Sequence, residues 1–199
     1  PNPDFSHVDS GGAIHSSPMT TIVRAWGVKE NQNHVEPVEI ERRDLREDDL
    51  RVRIEYSGIC HTDIHNAEAD LKWLFVPGHE IVGVVEEIGE GVTDFEVGDH
   101  VVLSFIPSCG KCPSCKSGLA NLCDFGAMLL QGEAVSDNTF RIHTTDGEPV
   151  YPMTLLGTFS PYMVVHEASA VKIDKDIPFE IAALCGCGRY AEVGQAAKV

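Results

Sequence analysis

No apolar run in these 199 residues approaches the ~20 needed for a helix to cross a bilayer. The first residues, Pro1 to Pro18, have neither the basic start nor the apolar stretch of a secretory signal. Positive charge is scarce as well: 15 Lys and Arg stand against 31 Asp and Glu, a formal charge of −16. So acidic a surface repels phosphate backbones and anionic headgroups, so neither nucleic acid nor a membrane is expected as partner. Aromatics are few at 7%, yet 43% of the chain is apolar, which excludes wholesale disorder. The length suits one domain, or one and a fraction. A cytoplasmic globular protein is expected.

Cysteine is not scarce. There are seven, an odd number, and in a reducing compartment clustered thiols point to metal ligation before disulfides. Four lie together: Cys109-Gly-Lys-Cys112-Pro-Ser-Cys115, then Cys123 after seven more residues. Two successive CxxC steps bring three sulfurs to one tight loop, and Gly110, Pro113 and Gly118 suit the turns required. Four thiolates satisfy the tetrahedral preference of Zn²⁺ and leave no open position, so the expected role is structural. A redox CxxC pair and chance clustering are the other readings of the same residues.

Cys60, Cys185 and Cys187 remain. Leu50 to Tyr56 alternates apolar with charged residues, the period of a half-buried strand. The polar stretch from Thr62 to Ala69 reads as a short helix capped by Thr62 or Asp63. Cys60 thus falls at a strand-to-helix junction. His79, in Pro77-Gly78-His79-Glu80, opens the buried-strand run Ile81 to Val85. Pro178 to Leu184 reads as an amphipathic helix with Pro178 in its first turn, and Gly186-Cys187-Gly188 follows it. Two thiolates and an imidazole are the ligand count of a catalytic zinc with an open position, although each residue taken alone reads more readily as a surface, hydrogen-bonded or buried side chain.

In order, the motifs G-I-C-H-T-D-I-H, P-G-H-E-I-V-G-V-V-E-E-I-G-E-G-V, F-E-V-G-D-H-V, C-G-K-C-P-S-C with Cys123, L-G-T-F-S-P-Y-M-V-V-H and G-C-G resemble the zinc-dependent medium-chain alcohol dehydrogenases. The resemblance runs from about residue 22 to 188. It implies a mainly β fold with peripheral helices, a GroES-like partly open β-barrel with a zinc-binding lobe at about 106–126. It places a catalytic zinc on Cys60, His79 and Cys187, the last chosen over Cys185 for its flanking glycines, with Glu80 beside the metal. Structural zinc falls on Cys109, Cys112, Cys115 and Cys123. Asp63 matches the carboxylate that orients the ligand histidine, or else caps the helix. Thr62 and His65 match a proton relay, a task suited to imidazole, although a solvated helix face also fits His65. His61 matches a contact to the cofactor's pyrophosphate, or a plain surface residue. Phe105, on the strand expected over Val97–Phe105, matches either a substrate-pocket or a core position.

By the same resemblance the complete enzyme oxidises a primary or secondary alcohol to aldehyde or ketone. Hydride passes to NAD or NADP, two Zn²⁺ are bound per chain, and a homo-oligomer is expected. Zinc is a Lewis acid that lowers the pKa of an alcohol it holds. The G-x-G-x-x-G of a dinucleotide-binding domain does not occur in these residues. Activity of this chain alone is therefore not expected. The organisation reads as a leader at 1–20, a catalytic domain at 21–188 and a shortened start of the link to that further domain at 189–199. Residues 70–76 also read as short, and 124–160 resemble the longer-lobed members. Besides Leu50–Tyr56, strands are expected at Ile22–Val28, Val35–Ile40, Ile81–Ile88 and Tyr162–Val165, spaced for a barrel. A competing reading keeps zinc for folding alone, in a binding or assembly module, and a third makes the CxxC thiols a redox sensor.

Overall fold

The computed structural model describes residues 21–29, 34–69, 74–127, 129 and 138–187. The expectations for the leader, for residues 70–73 and for residues 188–199, Gly188 included, lie outside them, as does part of the segment after Cys123. Strands β1 (Thr21–Gly27) and β2 (Glu36–Arg42) pair antiparallel, Thr21 opposite Arg42. The chain then forms β3 (Asp49–Gly58), α1 (His61–Ala67), β4 (Phe75–Val76), β5 (Glu80–Ile88), β6 (His100–Leu103) and α2 (Pro113–Lys116). It ends with β7 (Ile142–His143), β8 (Tyr151–Pro152), β9 (Tyr162–His166), β10 (Ala170–Ile173) and α3 (Phe179–Ala182).

The main sheet has the order β10-β6-β5-β3-β9, antiparallel throughout. Alternation in β3 turns Leu50 and Val52 inward, while Arg51 and Arg53 reach Glu87 (3.3 Å) and Glu86 (3.1 Å) on β5. Two register shifts, at Arg51/Val52 and Ile54/Tyr56, let β3 curve. β5 sits between β3 and β6, so its apolar run is buried nearly throughout. Gly83 permits the close approach there, since a Cβ would stand 2.3 Å from the Arg53 carbonyl oxygen. The core is Leu50, Val52, Ile81, Val85, Leu103, Met163 and their neighbours.

A second sheet, β1-β2-β7, packs around Ala25, Val38, Ile40 and Ile142, and β4 pairs parallel with β8. Val28 bridges to Phe75, and the Trp26 N–H donates to the Phe159 carbonyl at 2.8 Å, tying the sheets together. Among the described residues the ladders do not close into one ring. A mainly β, partly open barrel is the fold expected from the resemblance. No helix among the described residues is long and apolar enough to cross a membrane.

Three local expectations are corrected. The strand expected over Val97–Phe105 is β6, His100–Leu103 alone. Before it, the Glu96 N–H donates to Asp99 Oδ2 (2.8 Å) and Gly98 takes φ +92°, making a turn. After it, the Ser104 hydroxyl bonds the backbone of Ile106, so Phe105 rides a bend. The helix after Cys60 begins at His61, so Cys60 is the N-cap and Asp63 the third helical residue. The last helix is a single turn, Phe179–Ala182, continued as 3-10 over Ala183–Gly186, with Pro178 outside it as N-cap. Truncating the fully buried Leu50 to Ala is expected to cost about 2–5 kcal/mol by urea denaturation; a loss under ~1 kcal/mol would contradict this placement of the core.

Candidate metal centre

The four-cysteine lobe folds around its own sulfurs. Cys112 caps the one-turn helix α2, and Pro113 fits the first helical position because no N–H is needed there. The N–H groups of Cys112, Cys115 and Cys109 donate to the sulfurs of Cys109, Cys112 and Cys123, each at 3.4 Å. Gly110 (φ +67°) and Gly118 (φ +85°) take the left-handed backbone that returns the chain. The four sulfurs lie within 4.8 Å of one another; sulfurs ~2.3 Å from a tetrahedral zinc sit about 3.8 Å apart. Backbone hydrogen bonds from Asp124 and Cys115 lower the Cys112 thiol to about 7, while burial pushes Cys123 up to about 12. Leu119 and Leu122 are exposed, so the lobe has little apolar core of its own. The donor set, its spacing and the N–H groups aimed at sulfur fit zinc.

The second constellation is built from distant segments. Cys60 stands between β3 and α1, His79 and Glu80 open β5, and Cys187 follows the 3-10 turn after α3. One ligand atom from each of the four lies within 4.8 Å of the others. His79 and Glu80 are buried, and Cys60 and Cys187 partly so. Gly186 lets this turn close on β6, since a Cβ would meet the Leu103 carbonyl oxygen at 2.8 Å.

Asp63 organises these groups. Its Oδ2 accepts the Cys60 N–H (2.7 Å), its Oδ1 accepts the Gly78 N–H (2.8 Å), and Oδ1 lies 3.4 Å from His79 Nδ1. Asp63 is not the helix cap itself; from the third helical position its carboxylate reaches back to the N–H of Cys60, the N-cap, while the same group faces His79. Burial opposes its ionisation, but His79 and the two N–H groups outweigh that and hold its pKa low. Burial likewise opposes protonation of His79, yet Asp63 and Cys60 raise its pKa. With Nδ1 facing Asp63, Nε2 is the nitrogen left for a metal.

At Cys60 burial is outweighed by hydrogen bonding from Thr62 and by His79, which lowers its pKa. Burial, then the nearby Cys60 and Glu80, push Cys187 up to about 12. Acidic groups crowded on one point are relieved by a cation, so this donor set also fits zinc. Asp63→Asn keeps the shape and removes the charge. It is expected to weaken metal retention here about 10–100-fold in chelator competition; unchanged retention would contradict the orienting role.

The remaining expected residues surround this point. Thr62 Oγ1 lies 3.5 Å from Cys60 Sγ. His61 and His65, one helical turn apart on α1, are exposed with ring centroids 4.5 Å apart. Phe105 meets the His79 ring edge-on at 5.7 Å and also packs against the main core. A cavity of about 790 Å³ opens elsewhere along α1, lined by Trp26, Ile59, Ile64, Thr158, Phe159 and Pro161 among others. It touches Asp63 but none of the candidate ligands. Sequence reading did not single it out, although exposed Ile59 and Ile64 in a polar stretch were a usable signal. The structural part of Gly78 was also missed; its φ is +98°.

Fold and site together define a partly open β-barrel carrying two clusters of side chains that could each hold a metal ion. Residues 46–175 match the family model described as alcohol dehydrogenase GroES-like domain, and the chain belongs to that family. It is 55% identical over 163 residues to alcohol dehydrogenase B of Mycobacterium tuberculosis, covering 80% of this chain and 43% of that protein. To the NDMA-dependent alcohol dehydrogenase of Amycolatopsis methanolica it is 44% identical over 157 residues, covering 76% and 42%. A solved alcohol dehydrogenase zinc-binding domain protein from Burkholderia ambifaria superposes with TM-score 0.75 at 31% identity, over 85% of this chain and 46% of that one. The chain thus spans less than half the length of these relatives.

Proposed function

We propose that this chain supplies the metal, proton relay and substrate side of an alcohol dehydrogenase that oxidises a primary or secondary alcohol with NAD or NADP. The observation that carries this reading is the convergence of Cys60, His79, Glu80 and Cys187 from three distant segments. Cys60, His79 and Cys187 would hold the catalytic zinc, with Glu80 as neighbour, and the four-cysteine lobe a structural zinc. When bound, the catalytic zinc supplies Lewis-acid polarisation of the substrate oxygen. Thr62, beside Cys60, would accept the alcohol's proton on its hydroxyl oxygen while passing its own proton on, and the imidazole of His65 on the exposed face of α1 would take that proton and release it to solvent. His61, next to it, would offer its ring N–H to the cofactor's pyrophosphate. None of the seven cysteines is joined in a disulfide, which accords with a reducing, cytoplasmic setting.

Elemental analysis of the purified chain tests this, with two zinc per chain expected. His79→Ala should remove one and leave the other. In the complete dehydrogenase the same substitution should lower kcat/KM at least about a hundredfold, roughly 2.7 kcal/mol of transition-state stabilisation. A single zinc that survives His79→Ala but is lost on altering Cys109 would favour the zinc-stapled binding module.

A further inference from the structure

Arg42, the last residue of β2, is 2% exposed. Its Nη2 donates to the Gly157 carbonyl and to Ser160 Oγ, both at 2.7 Å, while its buried Nε makes no hydrogen bond. No carboxylate among the described residues comes within ion-pair distance of it. Nearby arginines are provided for: Arg43 meets Asp49 at 2.8 Å, and Arg51 meets Glu87 at 3.3 Å and stacks over the Tyr162 ring. Burial lowers the Arg42 pKa only to about 10, so the guanidinium stays charged at neutral pH. A buried charge without a counter-ion is costly, and folded proteins normally pair it.

Arg42 also lines a cavity of about 390 Å³, together with Arg43, Arg51, Tyr162 and Thr21. Among the described residues Asp44 and Glu87 bring negative charge to its wall, and Asp49 behind Arg43 adds a third carboxylate. Three guanidiniums and three carboxylates leave this spot near balance in a chain whose net charge is −16, and Arg42 is the guanidinium that no ion pair answers. None of the lining residues belongs to either cysteine constellation. We propose that this cavity binds a small anion bearing a carboxylate or phosphoryl group. Arg42 supplies the uncompensated charge, and the planar donors of Arg51 and Arg43 flank it.

Titration calorimetry of the whole chain, at fixed ionic strength in chloride, tests this with inorganic phosphate and with acetate as separate probes. Saturable binding of either at millimolar or lower concentration is expected, with a concentration-dependent rise in melting temperature. The preferred probe identifies the headgroup. Arg42→Met, which keeps the bulk and removes the charge, should abolish the response. Should Arg42→Met fail to fold, Arg51→Gln, at the cavity wall, decides the matter by weakening binding at least threefold. No saturation by either probe, or affinity unchanged in whichever variant folds, overturns the proposal.

Discussion

Cys112→Ser is expected to halve the zinc content, from two per chain to one, and to unfold the lobe between Cys109 and Cys123 while the main sheet persists. Zinc binding by four ligands in small domains is worth about 10–16 kcal/mol. Shared evenly, one ligand is worth about 2.5–4 kcal/mol, roughly a hundred- to a thousandfold in affinity. Little else holds this lobe. Its helix is a single turn, Leu119 and Leu122 face solvent, and the Ser108 N–H just before it is held by the Ala168 carbonyl (2.8 Å) in the turn between β9 and β10. Limited proteolysis should therefore cut between 109 and 123 in the variant and spare the parent. Chelator, or acid that protonates the thiolates, should reproduce the same pattern in the parent, since zinc leaves as its ligands gain protons. Two zinc ions retained in Cys112→Ser would refute the closed four-sulfur site.

Gly78→Ala should do comparable damage to the other centre, for a reason that has nothing to do with ligands. Gly78 has φ +98°, and an added Cβ would stand 2.3 Å from Thr158 Oγ1 and 2.6 Å from the Phe159 ring. Its own N–H is held by Asp63, and its carbonyl accepts the Thr158 N–H at 3.1 Å. Neither side can retreat without moving His79. Backbone strain of about 1–2 kcal/mol adds to a steric clash of about 1–3 kcal/mol. At about 2–4 °C per kcal/mol for a chain of this length, the melting temperature should fall by roughly 4–20 °C. The zinc of the Cys60 site should go with it. Gly147→Ala is the control: its φ is +90°, but nothing lies within 4 Å of the added carbon. Equal losses for the two variants would show that the dihedral alone matters and that the packing against Thr158 does not.

Much of the fold is legible in residue order. The alternation of Leu50–Tyr56 and the run Ile81–Ile88 mark β3 and β5, and both lie where the pattern places them, to within two residues. Strands β4, β7, β8 and β10 have no such signature, because two to four residues are too few to display a period of two. They exist because a neighbouring strand offers hydrogen bonds. The end of β6 was misread for a related reason: Val97 and Phe105 extend the apolar pattern, but Asp99 and the Ser104 hydroxyl turn the backbone at either end.

The two candidate metal centres divide along the same line. Cys109, Cys112, Cys115 and Cys123 are near neighbours in sequence, so short loops alone oblige their sulfurs to meet, and composition with spacing determines that site. Cys60, His79 and Cys187 are scattered across most of the chain, and only the pairing of β3 with β5 and the packing of the turn after α3 against β6 bring them to one point. The threefold engagement of Asp63, the fit of Gly78 against Thr158 and the unpaired charge of Arg42 are likewise products of packing. Each depends on what lies across a gap in space, and a one-dimensional pattern carries no record of that.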